Sequence, residues 1–410
     1  MRKHRLAIIF FVVLVDMLSF SVVLPLLPYL AKSLDASVLQ IGLLTAMYPL
    51  AQFFGAPILG RLSDRYGRKP ILLVSISGTV LGFVVLATAN LLPVLFLGRL
   101  LDGITGGNIS VAQAYISDVT SPEERGKALG LIGAAFGLGF ILGPITGGLL
   151  SDLSYAAPAW AGAILATVNL VLVATMLPES LTAEDKVRLA TRTRKVLDVA
   201  GLREALGHFR VGPLLGIRFT TGISFGLFEA GFSLWALSAL GLTARMNGFM
   251  LAYVGVLSVI IQAFVIGRIT KRWSDDGLLL TALIIAAAGL TAWGFVNNVP
   301  ALVLVMPFLS YGFAVTNTVS TSALTKAVHR DEVGGILGLS TSISSLTRIP
   351  AAFIPGVLLQ YSYTWTPGLL AGALTAGAAV YAARVLCWKP GQGACANDAE
   401  TKATSPDGRG

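Results

Sequence analysis

The sequence is poor in charged residues, cysteine and histidine. Of its 410 residues only 12% are charged, against about 25% in a typical soluble domain. So few charges cannot cover the surface of a soluble fold of this size. Its two cysteines, Cys387 and Cys395, both lie in the C-terminal tail, so a disulfide cannot cross-link the rest of the chain. The three histidines fall in predicted loops and lack metal-ligand spacing.

The sequence is instead rich in long apolar runs. Hydrophobic residues make up 55% of the chain, and 45 residues are glycine. A membrane-spanning helix needs about 20 mostly apolar residues, and glycine lets neighbouring helices approach closely. The runs predict an all-α membrane protein with twelve transmembrane helices, near 6–28, 38–60, 71–88, 91–115, 128–150, 158–177, 213–237, 246–267, 277–296, 299–323, 335–359 and 365–386.

One long internal polar segment divides the predicted spans into two groups of six. We predict an N-terminal six-helix bundle at 1–178, a connector at 179–212, a C-terminal six-helix bundle at 213–386 and a disordered tail at 387–410. The charged run within 184–206 is compatible with an amphipathic helix on the membrane surface and equally with a solvated linker.

Lysine and arginine are concentrated at the N-terminus, in the loops after even-numbered spans and in the connector. Cytoplasmic loops carry such an excess. We therefore predict a multi-pass protein of the cell (inner) membrane with both termini in the cytoplasm. The net charge of +9 then reflects contact with anionic lipid, and nucleic acid is excluded as a partner.

The two halves carry a weak repeat. The link after span 2, Gly60–Lys69, and the link after span 8, Gly267–Asp276, both open with Gly-Arg. The acid at Asp64 in the first link corresponds to Lys271 in the second. Two pseudo-symmetric six-helix bundles are typical of transporters that alternate access to a site between their halves.

Ionisable residues are rare within the predicted spans, and a charge at membrane depth is costly and normally faces the protein interior. A carboxylate there can bind a proton on one side of the membrane and release it on the other. This pattern predicts proton coupling by Asp16, Arg99, Asp102 and Glu229. For Arg99 and Asp102 a purely structural ion pair is an alternative. Residues on one predicted face of span 4 recur every three or four positions: Arg99, Asp102, Gly106, Ser110 and Gln113.

The link after span 2 places a single acid among four bases and two glycines. We predict that it turns at its glycines and forms a conformational latch whose charges hold one conformation closed. The predicted latch residues are Gly60, Asp64, Arg65, Gly67 and Arg68. Basic residues that merely anchor the loop on the cytoplasmic side are the alternative.

Span 5 contains overlapping small-xxx-small patterns around a proline. Such spacing favours close helix contact, and a proline inside a helix removes a backbone hydrogen bond and kinks it. The motif consists of Gly139, Gly143, Pro144, Gly147 and Gly148.

These patterns together resemble the major facilitator superfamily, in particular its twelve-helix, tetracycline-efflux-like branch of drug:proton antiporters. Gly60–Lys69 is similar to the signature loop after the second helix, and Gly98–Gly106 to the fourth-helix motif. Gly139–Gly148 resembles the fifth-helix motif typical of antiporters, and Asp16 with Pro25–Pro28 resembles the first-helix pattern.

The resemblance implies a role in proton coupling for Arg99. Tetracycline exporters of this branch carry further acids in their third and ninth helices, whereas spans 3 and 9 here have none, so the resemblance does not extend to the substrate. Aromatic and amide side chains at mid-membrane depth predict a substrate pocket formed by Phe20, Tyr48, Gln52, Asn108, Gln113, Trp235, Tyr253, Tyr311, Asn317 and Arg348.

The sequence also argues against some classes of function. A Ser/His/Asp set near a membrane face and a glycine loop ending in Gly-Lys-Ser/Thr are both missing from the sequence, which argues against an enzyme and against ATP as the direct energy source. We predict a monomer without cofactors that uses a proton gradient to export a small amphiphilic drug or metabolite by antiport. Proton-coupled nutrient uptake is the alternative, and a non-transporting membrane sensor is the least favoured.

Overall fold

The computed structural model describes residues 2–120, 122–182, 184, 207, 210–270, 272–328 and 333–387. Within them the regular structure is helical, and 11 segments are long and apolar enough to cross a membrane. The prediction of an all-α membrane protein is confirmed. Most of the predicted connector, the tail after residue 387 and Lys271 lie outside the described residues, so the two alternatives for 184–206 stay open.

Eight helices lie in the described residues of the first part of the chain, up to residue 182. A 3-10 turn at Leu24–Leu26, which contains Pro25, separates the first two. The third begins at a capping box, in which Ser37 and Gln40 satisfy each other's backbone N–H groups. The helices are α1 (Arg2–Val23), α2 (Leu27–Lys32), α3 (Val38–Tyr66), α4 (Arg68–Ala87), α5 (Leu92–Thr105), α6 (Asn108–Val119), α7 (Pro122–Leu150) and α8 (Ala157–Met176).

The described residues from 210 to 387 contain seven further helices. Ser274 and Asn298 cap the fourth and fifth of them by accepting from backbone N–H groups. Two π-helical turns, Ile261–Val265 and Ala383–Cys387, follow the second and the last. The helices are α9 (Val211–Leu240), α10 (Ala244–Ile260), α11 (Ile266–Ile269), α12 (Asp275–Gly294), α13 (Val299–Lys326), α14 (Val333–Tyr361) and α15 (Thr366–Ala382).

The fourth predicted span, 91–115, is not one helix. α5 ends at Thr105, and α6 begins at Asn108 after Gly106 and Gly107. Each glycine lowers helix stability by about 1 kcal/mol relative to alanine, so adjacent glycines are a weak point of a helix. Neither piece is long enough to cross a membrane alone, which is why 11 rather than twelve single helices qualify as spans.

The link after span 2 is mostly helix rather than loop. α3 continues to Tyr66, so Asp64 and Arg65 stand on its last turns, and only Gly67 separates it from α4. Gly67 has φ 112° and ψ 157°, a conformation that favours glycine. Gly60, in contrast, lies inside α3, where an added Cβ would meet nothing within 4 Å. The predicted turn at Gly60 is therefore wrong, whereas the turn at Gly67 is present.

Contacts divide the chain into two compact units. The first comprises Met1–Leu197, Phe232–Gly255 and Ala352–Tyr361, and the second comprises Asp198–Gly231, Val256–Ala351 and Ser362–Gly410. In the first unit, α1, α4, α6 and α8 enclose an apolar core, as α9, α12, α13 and α15 do in the second. α9, α10 and α14 each contribute to both units, and the predicted bundle boundaries stay a prediction.

Candidate functional site

Asp16 of α1 is a carboxylate in the apolar core of the first unit. It is only 9% exposed. Its Oδ1 accepts a hydrogen bond from Asn108 Nδ2 at 2.6 Å, and its backbone oxygen accepts one from Ser19 Oγ at 2.7 Å. A buried carboxylate with a short amide donor is held in one orientation. The structure thus places two predicted residues, Asp16 and Asn108, in direct contact.

The same contact joins Asp16 to the break between α5 and α6. Asn108 is the first residue of α6, and its Oδ1 accepts from Ser75 Oγ of α4. The backbone oxygen of Thr105, where α5 ends, shares the single hydroxyl proton of Ser75 with Asn108. A helix break leaves backbone groups without helical partners, and side chains must satisfy them when they are buried.

Gln52 of α3 donates a hydrogen bond to a second backbone carbonyl at the break. Its Nε2 donates to the backbone oxygen of Gly106 at 2.7 Å and to Tyr48 Oη at 2.9 Å. The Tyr48 ring lies 5.2 Å from the ring of Phe20, centroid to centroid. The predicted pocket residues Phe20, Tyr48 and Gln52 are therefore brought together beside the break, all of them half-buried.

Arg99 and Asp102 of α5 form a buried ion pair. Arg99 Nη1 lies 3.2 Å from Asp102 Oδ2, and the two residues are 1% and 2% exposed. The guanidinium also stands over the Tyr48 ring, 4.6 Å from its centroid, as in a cation–π interaction. Within the described part of the chain Arg99 Nε and Nη2 have no hydrogen-bond partner. The guanidinium is held by one carboxylate and one aromatic face.

The residues predicted to share one face of span 4 do not all lie on one face, because the break between α5 and α6 interrupts the helix. Arg99, Asp102 and Gly106 are buried, whereas Ser110 and Gln113 are exposed. α6 buries Asn108, Val111 and Ala112 instead, because the two non-helical glycines reset the helical phase. Gln113 therefore lies apart from the Asp16 contact.

The glycines of α7 fit against α1. A Cβ on Gly139, Gly143 or Gly147 would come within 2.8 Å of atoms of α1. These glycines recur every fourth residue and so form one face, which lets the two backbones approach closely. α1, which carries Asp16, is thereby held against the predicted fifth-helix motif.

The other motif residues of α7 meet α10 within the first unit. A Cβ on Gly248 would come within 2.3 Å of the backbone oxygen of Pro144, and Gly148 lies against Arg245 and Gly248. Asn247 Nδ2 donates to the oxygen of Pro25 at 2.9 Å and to Ser233 Oγ at 3.0 Å. Sequence reasoning missed the α10 partner, although Gly248 and Gly255 are seven residues apart and so lie on one face of a helix.

Arg68 is the centre of the predicted latch. Its guanidinium pairs with Asp64 at 2.6 Å and with Asp118 of α6 at 2.9 Å, and it donates to Ser63 Oγ at 2.7 Å. Only 6% of the side chain is exposed. Arg65 instead lies over the exposed ring of Tyr66. The described contacts of Arg68 stay inside the first unit.

Glu179 caps the helix that Arg68 begins. Its carboxylate accepts from the backbone N–H groups of Arg68 at 2.9 Å and Lys69 at 3.3 Å. An anion at a helix N-terminus is favourable because it meets free N–H groups and the positive end of the helix dipole. The sequence pattern did not reveal Glu179 or Asp118, since both lie far along the chain from the loop.

The predicted residues of the second unit do not form a comparable network. Glu229 is half-buried, and Arg348 and Asn317 are exposed. Among the described residues, Glu229 and Arg348 have neither an ion pair nor a hydrogen bond. Tyr311 packs against the apolar core of this unit.

Arg218 is the best-connected ionisable residue in the membrane-spanning part of the second unit. Its Nε donates to Ser344 Oγ at 3.3 Å and its Nη1 to Thr321 Oγ1 at 3.2 Å. Sequence reasoning did not assign this arginine a role.

The last two predicted pocket residues belong to the first unit. Trp235 is fully buried, with its ring 6.0 Å from that of Phe232, and Tyr253 is half-buried. Trp235 is therefore a core residue of the first unit, and its indole is not open to a solute.

Long membrane-spanning helices with a buried carboxylate beside a broken helix are typical of secondary transporters. The Major Facilitator Superfamily model matches residues 9–352. The class C tetracycline resistance protein of Escherichia coli is 33% identical over 382 residues, which cover 92% of this chain and 95% of that protein. Solute carrier family 22 member 18 of Mus musculus is 30% identical over 344 residues, covering 82% and 84%.

Solved structures show the same fold. The nucleoside transporter NupG matches with a TM-score of 0.73 over 94% of this chain and all of its own, at 14% identity, which bears on the fold alone. The chain belongs to the major facilitator superfamily. It is a multi-pass membrane transporter, and its resemblance to the tetracycline-efflux branch is confirmed.

Proposed function

We propose that this chain exports a small amphiphilic drug or metabolite in exchange for protons. The observation that carries the proposal is the buried Asp16, bound to Asn108 at the break between α5 and α6. An isolated carboxylate in a membrane protein is costly and marks a transport pathway or proton relay. In secondary transporters, substrates and ions usually bind where a transmembrane helix is interrupted near the middle of the membrane.

The geometry suggests how a proton changes the conformation. The bond from Asn108 to an ionised Asp16 is charge-assisted, and it weakens once the carboxylate is neutralised. Because Asn108 begins α6, the protonation state of Asp16 acts on the start of that helix. Ser75 and Gln52 hold the other carbonyls of the break, so a change at Asn108 is passed to α3 and α4.

The side chains beside the break favour an amphiphilic solute. Phe20 and Tyr48 offer aromatic faces, and Gln52 offers an amide. The tetracycline resistance relatives support drug export as the direction. Tetracycline itself is not favoured, because α4 has no acid and the acids of α12, Asp275 and Asp276, lie in its first turn.

We place the transporter in the inner cell membrane as a monomer, with both termini in the cytoplasm. The excess of lysine and arginine in alternate loops supports this orientation. The proton gradient supplies the energy, and the proton and substrate are the partners that the mechanism needs.

The test is the substitution Asp16→Asn, which keeps the size of the side chain and its contact with Asn108. We expect an efflux-deficient bacterial host to gain resistance to a subset of antibiotics and dyes from the wild-type chain and to lose it with Asp16→Asn. Asp152→Asn is the matched control, because Asp152 is an exposed acid paired with Arg245. Membrane content of each variant is checked by immunoblot.

Inverted vesicles separate export from uptake. Acidifying their lumen should drive accumulation of the compound identified in the growth panel, and this accumulation should release lumenal protons. Undiminished resistance and accumulation with Asp16→Asn would remove Asp16 from the mechanism. Transport in the opposite direction would establish uptake instead.

A further inference from the structure

Arg218 of α9 is a half-buried cation without an anionic partner among the described residues. It lies about 10 Å along the helix from Val211, where α9 begins. Its described partners are two neutral hydroxyls: Nε donates to Ser344 Oγ at 3.3 Å and Nη1 to Thr321 Oγ1 at 3.2 Å. A charge within a membrane span is costly, and it marks a binding site or a transport pathway.

The acids of the second unit that the structure describes do not supply the missing anion. At the start of α12, Asp275 pairs with Lys326 at 2.6 Å and Asp276 pairs with Arg210 at 2.9 Å. On α9 itself, Glu229 is eleven residues further on, about 16 Å along the helix axis. The positive charge of this arginine is therefore available to a ligand.

The two hydroxyls hold the guanidinium in one orientation. Ser344 Oγ donates its proton to the backbone oxygen of Ser340 at 3.0 Å, and Thr321 Oγ1 donates to that of Asn317 at 2.8 Å. A hydroxyl has one proton, so each oxygen offers Arg218 only its lone pairs. Nη2 of Arg218 has no hydrogen bond among the described residues. An arginine fixed in this way, with donors left over, suits a carboxylate or a phosphate.

More polar groups lie one turn away on the two partner helices. Asn317 is four residues before Thr321 on α13, and Arg348 is four residues after Ser344 on α14, so each shares a face with its neighbour. Asn317 and Arg348 are both exposed, and the described residues include no acid paired with Arg348. This side of the second unit therefore combines two positive charges with an amide.

Aromatic rings continue the same helix faces. Phe313 is one turn before Asn317 on α13, and Phe225 is two turns after Arg218 on α9. Their ring centroids are 4.5 Å apart, and Phe225 is 38% exposed. The seven residues from Arg218 to Phe225 span about 10 Å of helix. A cationic end and an aromatic end at this separation match a molecule with an anionic group and an apolar body.

We propose that Arg218 binds an anionic group of the transported molecule, and that the substrate is an amphiphilic organic acid. Its carboxylate lies at Arg218, and its apolar part extends toward Phe225 and Phe313. Arg348 adds a second positive charge that attracts the same group. The inference rests on the proposed function, because it names the substrate class of that transporter.

An anionic lipid headgroup presents the same chemistry as the carboxylate of a solute. The position of Arg218 favours the solute. Its guanidinium is bonded to side chains of both α13 and α14, so it lies among three helices of the second unit. A lysine or arginine that binds headgroups extends instead toward the membrane surface at a helix end.

The experiment measures binding by calorimetry on the purified full chain in a neutral detergent. The probes are matched pairs: naphthoate with naphthamide, and biphenyl carboxylate with its amide. The members of a pair share an apolar body and differ in charge. We expect at least one carboxylate to bind about tenfold or more tightly than its amide, because charged hydrogen bonds are stronger than neutral ones.

Three variants assign this preference to a residue. Arg218→Gln keeps a donor for the two hydroxyls, and it should weaken carboxylate binding about tenfold to a hundredfold while amide binding stays unchanged. Arg218→Lys keeps the charge without the planar fork, so its loss should be smaller. Arg268→Gln is the control, because Arg268 is an exposed arginine whose described bond goes to the backbone oxygen of Phe264.

Thermal unfolding in the same detergent checks that Arg218→Gln is folded, and Arg218→Lys carries the comparison if it is not. Binding is then repeated in nanodiscs of phosphatidylcholine, with and without phosphatidylglycerol. If phosphatidylglycerol abolishes carboxylate binding that phosphatidylcholine permits, the site belongs to a lipid headgroup and the solute assignment is overturned. Equal binding in both lipids supports the solute.

The remaining outcomes separate the inference from the proposed function. The organic-acid site is overturned if no carboxylate binds more tightly than its amide, or if the preference persists in Arg218→Gln. It is also overturned if Asp16-dependent export is limited to neutral and cationic compounds, and export itself then stands. Normal export by Asp16→Asn, with carboxylate binding still dependent on Arg218, leaves the site in place and removes the proton-coupled function.

Discussion

The first turns of α4 and α12 occupy the same place in the two halves, and their charges are reversed. Arg68 and Asp275 stand at equal distances after Gly60 and Gly267. Arg68 pairs with the acid Asp118, near the last turn of α6, whereas Asp275 pairs at 2.6 Å with the base Lys326, in the last turn of α13. Each half thus ties the start of one predicted span to the end of the next: α4 to α6 in the first half, and α12 to α13 in the second.

The two helix starts differ in how they are capped. α12 carries its own cap, since Ser274 accepts from Gly277 N and Asp275 and Asp276 lie in the first turn. α4 begins with two bases, which oppose the helix dipole, and takes its negative charge from the distant Glu179. The start of α4 is therefore capped by a residue far along the chain, whereas the start of α12 is capped by residues next to it in the sequence.

The two halves share one feature of the repeat and differ in two others. Both halves have an ion pair between two helix ends. The positions of the acid and the base are exchanged between the halves, and the two pairs differ in burial. Arg68 is 6% exposed, but Lys326 is 67% exposed. Exposed ion pairs contribute little to stability, whereas breaking a buried pair is expensive. The two junctions should therefore respond very differently to substitution.

The largest effect is expected from Arg68→Ala. Removing this guanidinium leaves Asp64 and Asp118 without their shared cation, which should lower the free energy of unfolding by about 3 kcal/mol. Denaturation of the purified protein in detergent measures the loss. Arg65→Ala is the control, because Arg65 is an exposed arginine only three residues earlier, in the last turn of α3. Equal losses in the two variants would contradict a special role for Arg68.

A smaller effect is expected from Glu179→Ala. The two backbone N–H groups of α4 lose their acceptor, at a cost of about 1 kcal/mol, typical of a lost helix cap. Hydrogen exchange should become faster at the start of α4. Adding Lys69→Asp supplies a local acid like that of α12 and should recover part of the loss. No recovery would mean that Glu179 acts through something other than the helix start.

The smallest effect is expected from Lys326→Ala. Its partner Asp275 keeps a favourable position at the start of α12, and the pair is exposed on the lysine side, so the loss should stay below about 1 kcal/mol. The same denaturation assay, run at low and high salt, measures it. A loss as large as that of Arg68→Ala would show that the two junctions are equivalent after all.

Much of the fold was predictable because it depends on local properties of the chain. Apolar runs long enough for a bilayer marked the helices, and the α7 glycines marked a close helix contact. Asp16 was recognisable as buried because a lone acid in such a run has no local partner. The break at Gly106 and Gly107 was missed because the three- and four-residue spacing of the motif continues through it in the sequence, and the side chains that stabilise the break come from α3 and α4.

Other residues were missed for a different reason. Glu179 and Asp118 acquire their roles from partners 50 or more residues away. Such pairings depend on tertiary packing, which neither spacing nor composition reports.

The bond from Gln52 to the carbonyl of Gly106 also has a consequence for biosynthesis. The amide that completes the break comes from α3, which leaves the ribosome before α5 and α6. The donor is thus already in the bilayer when the interrupted segment arrives, and the exposed carbonyl meets a partner at once. With the order of these helices reversed, the same break would enter lipid with an unsatisfied backbone group, which costs several kcal/mol.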